Sequence, residues 1–453
     1  MATWGGNMNQ SAVKPFNWRQ YRDAYELIVH NLEKMTDLHQ GLATLSKKIT
    51  LHGGARLFDV TDHLVLPADE WRQKLEEAGF TNRGDLYFVD HSNLPPVIVD
   101  PKPGSHAGVA VRVESIANFL MQNQLSCSIE GGPFSPFRRC CLSTGPKVSL
   151  WLVERRKHMA FEPEELPDTL ISRCLSVLEL WKSRERNGGD EYTAMDQNIQ
   201  LARIQVEEVG AALATDLFFE AERNYWQSRN KAASLQKMLL DKGGIGWSNH
   251  DHHTYRSSRR HFIKLLEFFT ILGFKRRERF YAGVEAGWGA QVMEHPETGI
   301  VLFLDTDLAP SELDIDFSQN SLPEQEDLGT VGLWCGLHGE SLLEAGLHHL
   351  AIKSDFWQLR ENLRKQGVRM MAPFSTFPYL KQAFTMGDRW QVNHRRLHAL
   401  RVTSRISVAE AVFFSDNGAI GSHVENIQRT GGYKGFSRQE VSNIIRDTDP
   451  RRQ

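Results

Sequence analysis

The chain has 453 residues, of which 41% are apolar and 24% are charged, and its formal net charge is −3. This length exceeds what one hydrophobic core usually serves, so we expect about two to four domains or modules. A nearly neutral charge favours neither nucleic acid nor a membrane surface as a partner, and no apolar run approaches the ~18 residues that span a bilayer. The first residues lack the pattern of a signal peptide, and the five cysteines lack metal-site spacing, so we predict a cytoplasmic protein.

Helix, strand, helix and strands follow one another in the N-terminal third. Apolar residues at three- and four-residue spacing predict helix over residues 16–48. A strand before a helix at residues 67–78 opens one series of elements, and a strand at 106–113 before a helix at 115–124 opens a second. We predict that residues 1–160 form a degenerate pair of modules behind leading helices.

The middle of the chain is predicted to be helical. Two helical patterns, over residues 162–181 and 194–240, flank a charged, glycine-containing break. Residues 161–245 are therefore expected to form a helical insertion or connector between two halves.

Two histidine pairs mark an internal repeat in residues 246–453. His252-His253 and His348-His349 each lie at the start of a β-type run, which is followed by a helix that ends in Gly and an apolar residue. By spacing, His253 and His349 fall at nearly equivalent distances before these glycines. A repeated unit of strand, helix and strands is predicted.

The stretch from residue 411 to 436 is predicted to complete the site. Val412, Phe413 and Phe414 predict a strand, a turn follows at 416–418, and a second strand contains residues 423–427. Alternation along that strand places the side chains of His423 and Glu425 on one face. A carboxylate buried in a sheet needs a cation as its partner.

The repeat resembles the βαβββ module of the vicinal oxygen chelate superfamily. More specifically, the C-terminal part resembles 4-hydroxyphenylpyruvate dioxygenase-like Fe(II) dioxygenases, in which a Leu-Glu-Ile-Ile-Gln-Arg-type strand precedes a Gly-Phe turn and a last helix. Here residues 424–429 read VENIQR, Gly435-Phe436 follows, and a helix is predicted over 437–446. Residues 346–352 and 372–379 are similar to two further segments of that family. The resemblance covers residues 246–453 well and the N-terminal half only as architecture.

This resemblance implies an α+β fold in which repeated βαβββ modules form two vicinal-oxygen-chelate-type barrels with an inserted helical segment. Residues 246–453 would be the metal-binding domain. By resemblance we assign His253, His349 and Glu425 as ligands of Fe(II), with His252 and His348 as second choices because adjacent strand residues face opposite ways. Two imidazoles and one carboxylate leave open coordination positions for substrate and O₂.

The remaining site predictions concern residues around this metal. His423 and Gln391 are candidates for catalytic roles, and the helix over 437–446 is a candidate lid. Four residues are candidates for substrate binding: Phe436, Phe414, Gln382 and Tyr379.

The implied function is a mononuclear Fe(II) dioxygenase that decarboxylates and hydroxylates an aromatic or other 2-oxo acid. Its partners would be this small molecule and O₂, and a homo-oligomer is left open. Residues 415–418 are also similar to a pattern of extradiol ring-cleaving catechol dioxygenases, in which His394, His398 and Tyr255 would take the parts of the extra histidine and tyrosine.

A fourth metal ligand would change the expected chemistry. Asp305 and Asp307 follow the predicted last strand of the first module, and either one as a ligand would favour a metal-dependent isomerase or lyase. A non-catalytic protein that uses the cavity to bind a small molecule is a further alternative.

Overall fold

Two mixed β-sheets, one from each half of the chain, form the framework of the computed structural model, which describes residues 16–102, 104–187, 190–437 and 448–452. Within these ranges, no helix combines the length and the apolar character that crossing a membrane requires.

The first sheet has seven strands in the order β2-β3-β4-β1-β5-β7-β6. Its strands are β1 Thr61–Pro67, β2 Thr81–Arg83, β3 Leu86–Phe88, β4 Val97–Asp100, β5 Ala107–Arg112, β6 Phe137–Thr144 and β7 Val148–Arg155. Helix α4 (Ala68–Glu77) follows β1 and helix α5 (Ile116–Asn123) follows β5. Strands β4 and β7 lie parallel to β1 and β5, whereas β1 and β5 pair antiparallel.

Helices precede and follow this sheet. Before it lie α1 Arg22–Leu38, α2 Gln40–Gly53 and α3 Leu57–Val60, and after it lie α6 Asp168–Ser183, α7 Glu191–Val209, α8 Ala211–Ser228 and α9 Lys231–Gly243. The pattern at 194–240 is thus three helices rather than one. Gly210, at a φ of 79°, separates α7 from α8, and the side chain of Asn230 caps α9 by accepting from the amide of Ala233.

The second sheet has nine strands in the order β13-β14-β16-β12-β8-β11-β10-β9, with β15 beside β16. Its strands are β8 His250–Arg256, β9 Lys275–Tyr281, β10 Trp288–Glu294, β11 Val301–Asp307, β12 His349–Lys353, β13 Ser375–Phe377, β14 Leu380–Phe384, β15 Asp388–Trp390 and β16 Ala419–Arg429. Its helices are α10 Phe262–Ile271, α11 Thr330–His338, α12 Phe356–Lys365, α13 His394–Val402 and α14 Val408–Asn417.

The same connectivity occurs in both sheets. In the second sheet, β11 lies parallel to β8 and β16 lies parallel to β12, while β8 and β12 pair antiparallel. In each module, the last strand therefore lies beside the first strand. The first strands of the two modules pair with each other at the centre of the sheet. The predicted α+β class with repeated modules is confirmed.

The prediction of a strand at residues 412–414 is wrong, because these residues lie in α14. Ser407 and Glu410 form a reciprocal capping box at its start, and Phe414 is buried whereas Val412 is 55% exposed, as expected for one apolar helix face. Three consecutive apolar residues do not distinguish strand from helix. The predicted last helix, apart from its first residue, lies outside the described residues.

Candidate metal centre

Three adjacent strands at the centre of the second sheet each contribute one side chain to a common point. These are His252 of β8, His349 of β12 and Glu425 of β16, and all three are buried. The Nε2 atoms of His252 and His349 lie 3.1 and 3.2 Å from Oε2 of Glu425. Each residue offers one ligand atom, and the three atoms all lie within 4.8 Å of one another. This donor set suits a divalent transition metal.

His253, predicted as a ligand, does not reach this cluster. It faces the opposite side of β8, where its ring lies 4.5 Å from that of Phe219 and its Nε2 accepts from the guanidinium of Arg223. Residues 257–261 connect β8 to α10, whereas only residues 354–355 connect β12 to α12. Counting back from the helix ends therefore selected the wrong one of two adjacent histidines, and His252 takes the place expected for His253.

The charges of the cluster are coupled. Burial lowers the pKa of His252, but the carboxylates of Glu425 and Asp251 outweigh it and raise this pKa to about 9. Burial raises the pKa of Glu425, but its contacts with His252 and His349 lower this pKa by more. The net result is a pKa below the ordinary value of the carboxyl group. A buried carboxylate beside two imidazoles can thus hold a proton or a metal ion, and metal binding would release the proton.

Residues behind the cluster fix its side chains. Nδ1 of His252 lies 2.9 Å from Oδ2 of Asp251. Oγ1 of Thr254 lies 2.8 Å from Nε2 of His349, the nitrogen that also faces Glu425, so a bound metal would replace this contact. Nε2 of Gln382 donates to Oε1 of Glu425 at 2.7 Å, and Oε1 of Gln382 accepts from the backbone amide of Ser437. Such outer contacts set the orientation of metal ligands. Gln382, a candidate for substrate binding, therefore contacts the carboxylate itself.

Two further histidines line the same pocket. His348, His349 and His423 also place one ligand atom each within 4.8 Å of the others, and Nδ1 of His348 lies 3.1 Å from Nδ1 of His349. Burial lowers the pKa of both His348 and His423 well below the ordinary value, so both imidazoles are neutral. Neither ring nitrogen of His423 has a partner within the described ranges.

The wall of the pocket is largely aromatic and contains one buried arginine, Arg256. Three of the residues predicted for catalytic roles or substrate binding line this wall: Phe436, His423 and Gln382. Arg256 was missed, although it lies on the same face of β8 as His252, four residues along. The aromatic lining residues are Phe280, Trp288, Phe303, Phe374, Phe384 and Phe436. The Phe436 ring lies 5.0 Å from that of His252 and 4.7 Å from that of Phe303.

Three predicted site residues lie elsewhere. Gln391 is exposed and donates to the carbonyl of Ser415, because it follows β15 on the outer side. Phe414 packs in a separate apolar cluster under α14. Tyr379 stacks on Phe377 and is absent from the pocket lining.

The residues behind the alternative chemistries are also separated. Asp305 lines the pocket, and burial raises its pKa to about 7, whereas Asp307 accepts from three backbone amides at the start of α11, each at 2.9 Å. His394 and His398 are exposed, and Tyr255 faces Glu222 on the other side of the sheet. Of these five residues, only Asp305 borders the cluster of His252, His349 and Glu425.

Neither a family model nor a curated protein matches the chain. Among solved structures, the chain is similar to a glyoxalase-superfamily protein from Ralstonia eutropha JMP134, with 12% identity, 60% of this chain and 99% of the other covered, and a TM-score of 0.33. The chain is also similar to a mutant of 4-hydroxymandelate synthase from Streptomyces coelicolor. The identity is 14%, 75% of this chain and 97% of the other are covered, and the TM-score is 0.26. A third similar structure is protein YdcJ from Shigella flexneri, which includes domain DUF1338. The identity is 10%, 58% of this chain and 73% of the other are covered, and the TM-score is 0.25.

At these identities and TM-scores the comparisons carry no argument about activity. The class of the molecule follows from its own connectivity and site: repeated βαβββ modules with a His-His-Glu cluster at the centre of the second sheet. The βαβββ connectivity that the resemblance to the vicinal oxygen chelate superfamily implied is confirmed in the second sheet.

Proposed function

We propose that the protein is a mononuclear Fe(II)-dependent dioxygenase that acts on an aromatic or other 2-oxo acid by oxidative decarboxylation and hydroxylation. The observation that carries this proposal is the convergence of His252, His349 and Glu425 within one buried, aromatic pocket. Two imidazoles and one carboxylate are the donor set of the facial triad of non-haem iron oxygenases.

The chain supplies the ligands and their orientation. His252, His349 and Glu425 would hold the ion, with Asp251 and Gln382 fixing an imidazole and the carboxylate. When bound, Fe(II) would supply a Lewis acid with open positions for a 2-oxo acid and for O₂. The aromatic wall excludes water, which limits side reactions of the substrate.

Arg256 supports an acidic substrate. Its Nε is buried without a hydrogen-bond partner among the residues that the structure describes. Burial lowers its pKa, and the carboxylate of Asp305 opposes that decrease only in part. Since it lies four residues from His252 along an extended strand, roughly 13 Å separates their Cα atoms. Its guanidinium lines the same pocket and acts electrostatically on His348, His349 and His423, so it would bind an acidic or polar group of the substrate.

Anaerobic purification with metal analysis, followed by Fe(II) titration and oxygen uptake, tests the proposal. We expect about one iron per chain, and oxygen uptake with CO₂ release that depends on a 2-oxo acid. Ala at His252, His349 or Glu425 should abolish iron loading, whereas His394→Ala, at an exposed histidine, should load like the natural protein.

The same assay separates the alternatives. Uptake driven by catechols without CO₂ would assign ring cleavage, and stoichiometric zinc or nickel without uptake would assign an isomerase or lyase. Ligand binding by a protein that takes up no metal would leave a binding protein, and full iron in all three ligand variants would refute the site.

A further inference from the structure

A second cavity lies between the two sheets. It is lined by residues of the first sheet and its loops and by the strand ends of β12 and β16. Ser248, His250, Asp251, Arg277 and residues 298–301 also line it. Of the described residues, Phe436 is the only one that lines both this cavity and the metal pocket. The two spaces are therefore neighbours with a shared aromatic wall.

The lining of this inter-sheet cavity is rich in cations. Three carboxylates face it, Asp59, Asp62 and Asp251. Six cationic side chains face it: Arg112, Arg155, Arg277, Lys353, Arg429 and Lys434.

Most of these cations already have acidic partners. Arg155 pairs with Asp62 at 2.6 Å, and Arg277 and Lys434 pair with Glu294 at 3.0 and 2.9 Å. Arg429 pairs with Asp251 through Nη1. Asp59 is bound by Arg56, which is not among the lining residues, and it acts on Lys353 only through its charge.

Two cations form no ion pair within the described residues, although the charges of Asp62 and Asp251 act on them from a distance. Neither Arg112 nor Lys353 has a carboxylate within 4.0 Å in the described part of the chain, and Arg112 donates from Nη2 only to the carbonyl of Arg155. In addition, Nη2 of Arg429, a residue 2% exposed, is buried without a partner. Burial lowers the pKa of both Arg112 and Lys353, so their charges are poorly solvated.

We propose that the inter-sheet cavity is a second ligand site, in which Arg112, Lys353 and Arg429 bind a small anion bearing a phosphate or carboxylate group. Arg112 comes from β5 of the first sheet, and Lys353 and Arg429 come from β12 and β16 of the second. A bound anion would satisfy the unpaired donors and join the two sheets. This inference is independent of the metal chemistry.

A bound anion would also contact β12 and β16, two of the three strands that contain the candidate metal ligands. Lys353 lies four residues after His349 on β12, and Arg429 lies four residues after Glu425 on β16, so each pair shares a strand face. Phe436 separates the two spaces. Occupancy of the inter-sheet cavity is thus expected to stabilise the sheet in which the metal cluster lies.

The test measures thermal unfolding and calorimetric binding of the full chain with inorganic phosphate or succinate, against sodium chloride at equal ionic strength. We expect at least one of the two anions to raise the unfolding temperature beyond chloride. Lys353→Met and Arg112→Gln should each weaken that binding by about tenfold or more. Lys365→Met, on the exposed face of α12, is the matched control.

The two arms identify the ligand class. A response to phosphate alone assigns a phosphate-bearing ligand, and a response to succinate alone assigns a carboxylate. Either variant can carry the test if the other does not fold, because Arg112 and Lys353 lie on different sheets. Equal unfolding temperatures in all three salts, or unchanged affinity in both variants, would overturn the proposal.

Discussion

A single position along a strand decides which histidine enters the metal pocket. Adjacent side chains of β8 point to opposite faces, so His252 faces Glu425 while His253 faces Phe219. The sequence motif identified His349 and Glu425 correctly as members of one cluster. The face of β8 could not be derived, because it depends on the length of the connection to α10.

The two histidines should therefore differ in what their removal changes. We expect His252→Ala to lose metal binding, because its Nε2 is one of the three candidate ligand atoms. His253→Ala should keep its metal but lose about 2–4 kcal/mol of unfolding free energy, because it opens a cavity against Phe219. Metal analysis and urea unfolding of both variants check this, and loss of metal in His253→Ala alone would contradict it.

Arg256 allows a second prediction at this scale. Arg256→Gln should leave iron loading unchanged and raise the KM for a 2-oxo acid by about 10- to 150-fold, which corresponds to the loss of a hydrogen bond to a charged group, about 1.5–3 kcal/mol. Steady-state oxygen uptake measures KM and kcat separately. An unchanged KM would show that the substrate does not reach the guanidinium.

At the level of elements, the helical insertion supports the strand that carries Glu425. Ser422 of β16 accepts from Nε1 of Trp226 in α8 at 2.6 Å and from Nδ2 of Asn230 at 2.8 Å, and donates to the carbonyl of His348 at 2.9 Å. A helical insertion could be predicted from the sequence, because apolar spacing shows helices. The contact between this insertion and β16 could not be predicted, because no local sequence pattern links residue 226 to residue 422.

Ser422→Ala should consequently destabilise the fold. Two buried donors would lose their acceptor, which we expect to cost about 1–3 kcal/mol each. Chemical unfolding measures the change, and Ser176→Ala, at an exposed serine of α6, is the control. Equal stability of the two variants would mean that the helices do not hold β16 through this hydroxyl.

A buried charge network in the same helices gives a pH prediction. Glu222 of α8 is fully buried and contacts Arg184 and Arg186. Burial raises its pKa, but the two guanidinium groups outweigh burial and lower the pKa overall. The carboxylate therefore contributes stability above its unfolded-state pKa, near 4.3, and this contribution is lost as the pH falls toward the lower folded-state pKa.

Glu222→Gln tests this network. At pH 7 it should cost about 3–5 kcal/mol, because it leaves two buried arginines without their acid. The difference between the natural protein and the variant should shrink as the pH is lowered below about 4.3. Urea unfolding across that range measures both, and a difference independent of pH would refute the assignment.

At the level of the whole molecule, the N-terminal helices dock directly on the second sheet's helix α12. The amide of Asp355 donates to the carbonyl of Gly54 at 2.7 Å, and Nδ2 of Asn362 donates to the carbonyls of Leu51 and His52. The repeated modules could be predicted in both halves. The division of the chain into domains at residues 160 and 245 stays a prediction. The docking of α2 on α12 could not be predicted from the sequence, because its partners lie some 300 residues apart.

Gly54 makes this docking testable. It has a φ of +64°, and a Cβ there would lie 2.7 Å from the Cα of Leu359. Gly54→Ala should cost about 2–5 kcal/mol, from backbone strain and from the forced separation of α2 and α12. Gly79→Ala is the control, because Gly79 also has a positive φ but open space surrounds the added Cβ, so this variant measures the backbone strain alone. Equal losses of unfolding free energy in the two variants would exclude a steric effect of docking.

The three strands that carry the metal cluster are consecutive in the sheet, in the order β16-β12-β8, and they come from both modules. The ladder between β12 and β8 is the junction of those modules, and its register shifts between Leu350 and Ile352. An ion bound by His252, His349 and Glu425 would therefore connect the two modules where the ladder between them is irregular. Amide hydrogen exchange along β8 and β12 should slow when the metal is loaded, while the seven-stranded sheet keeps its exchange rates.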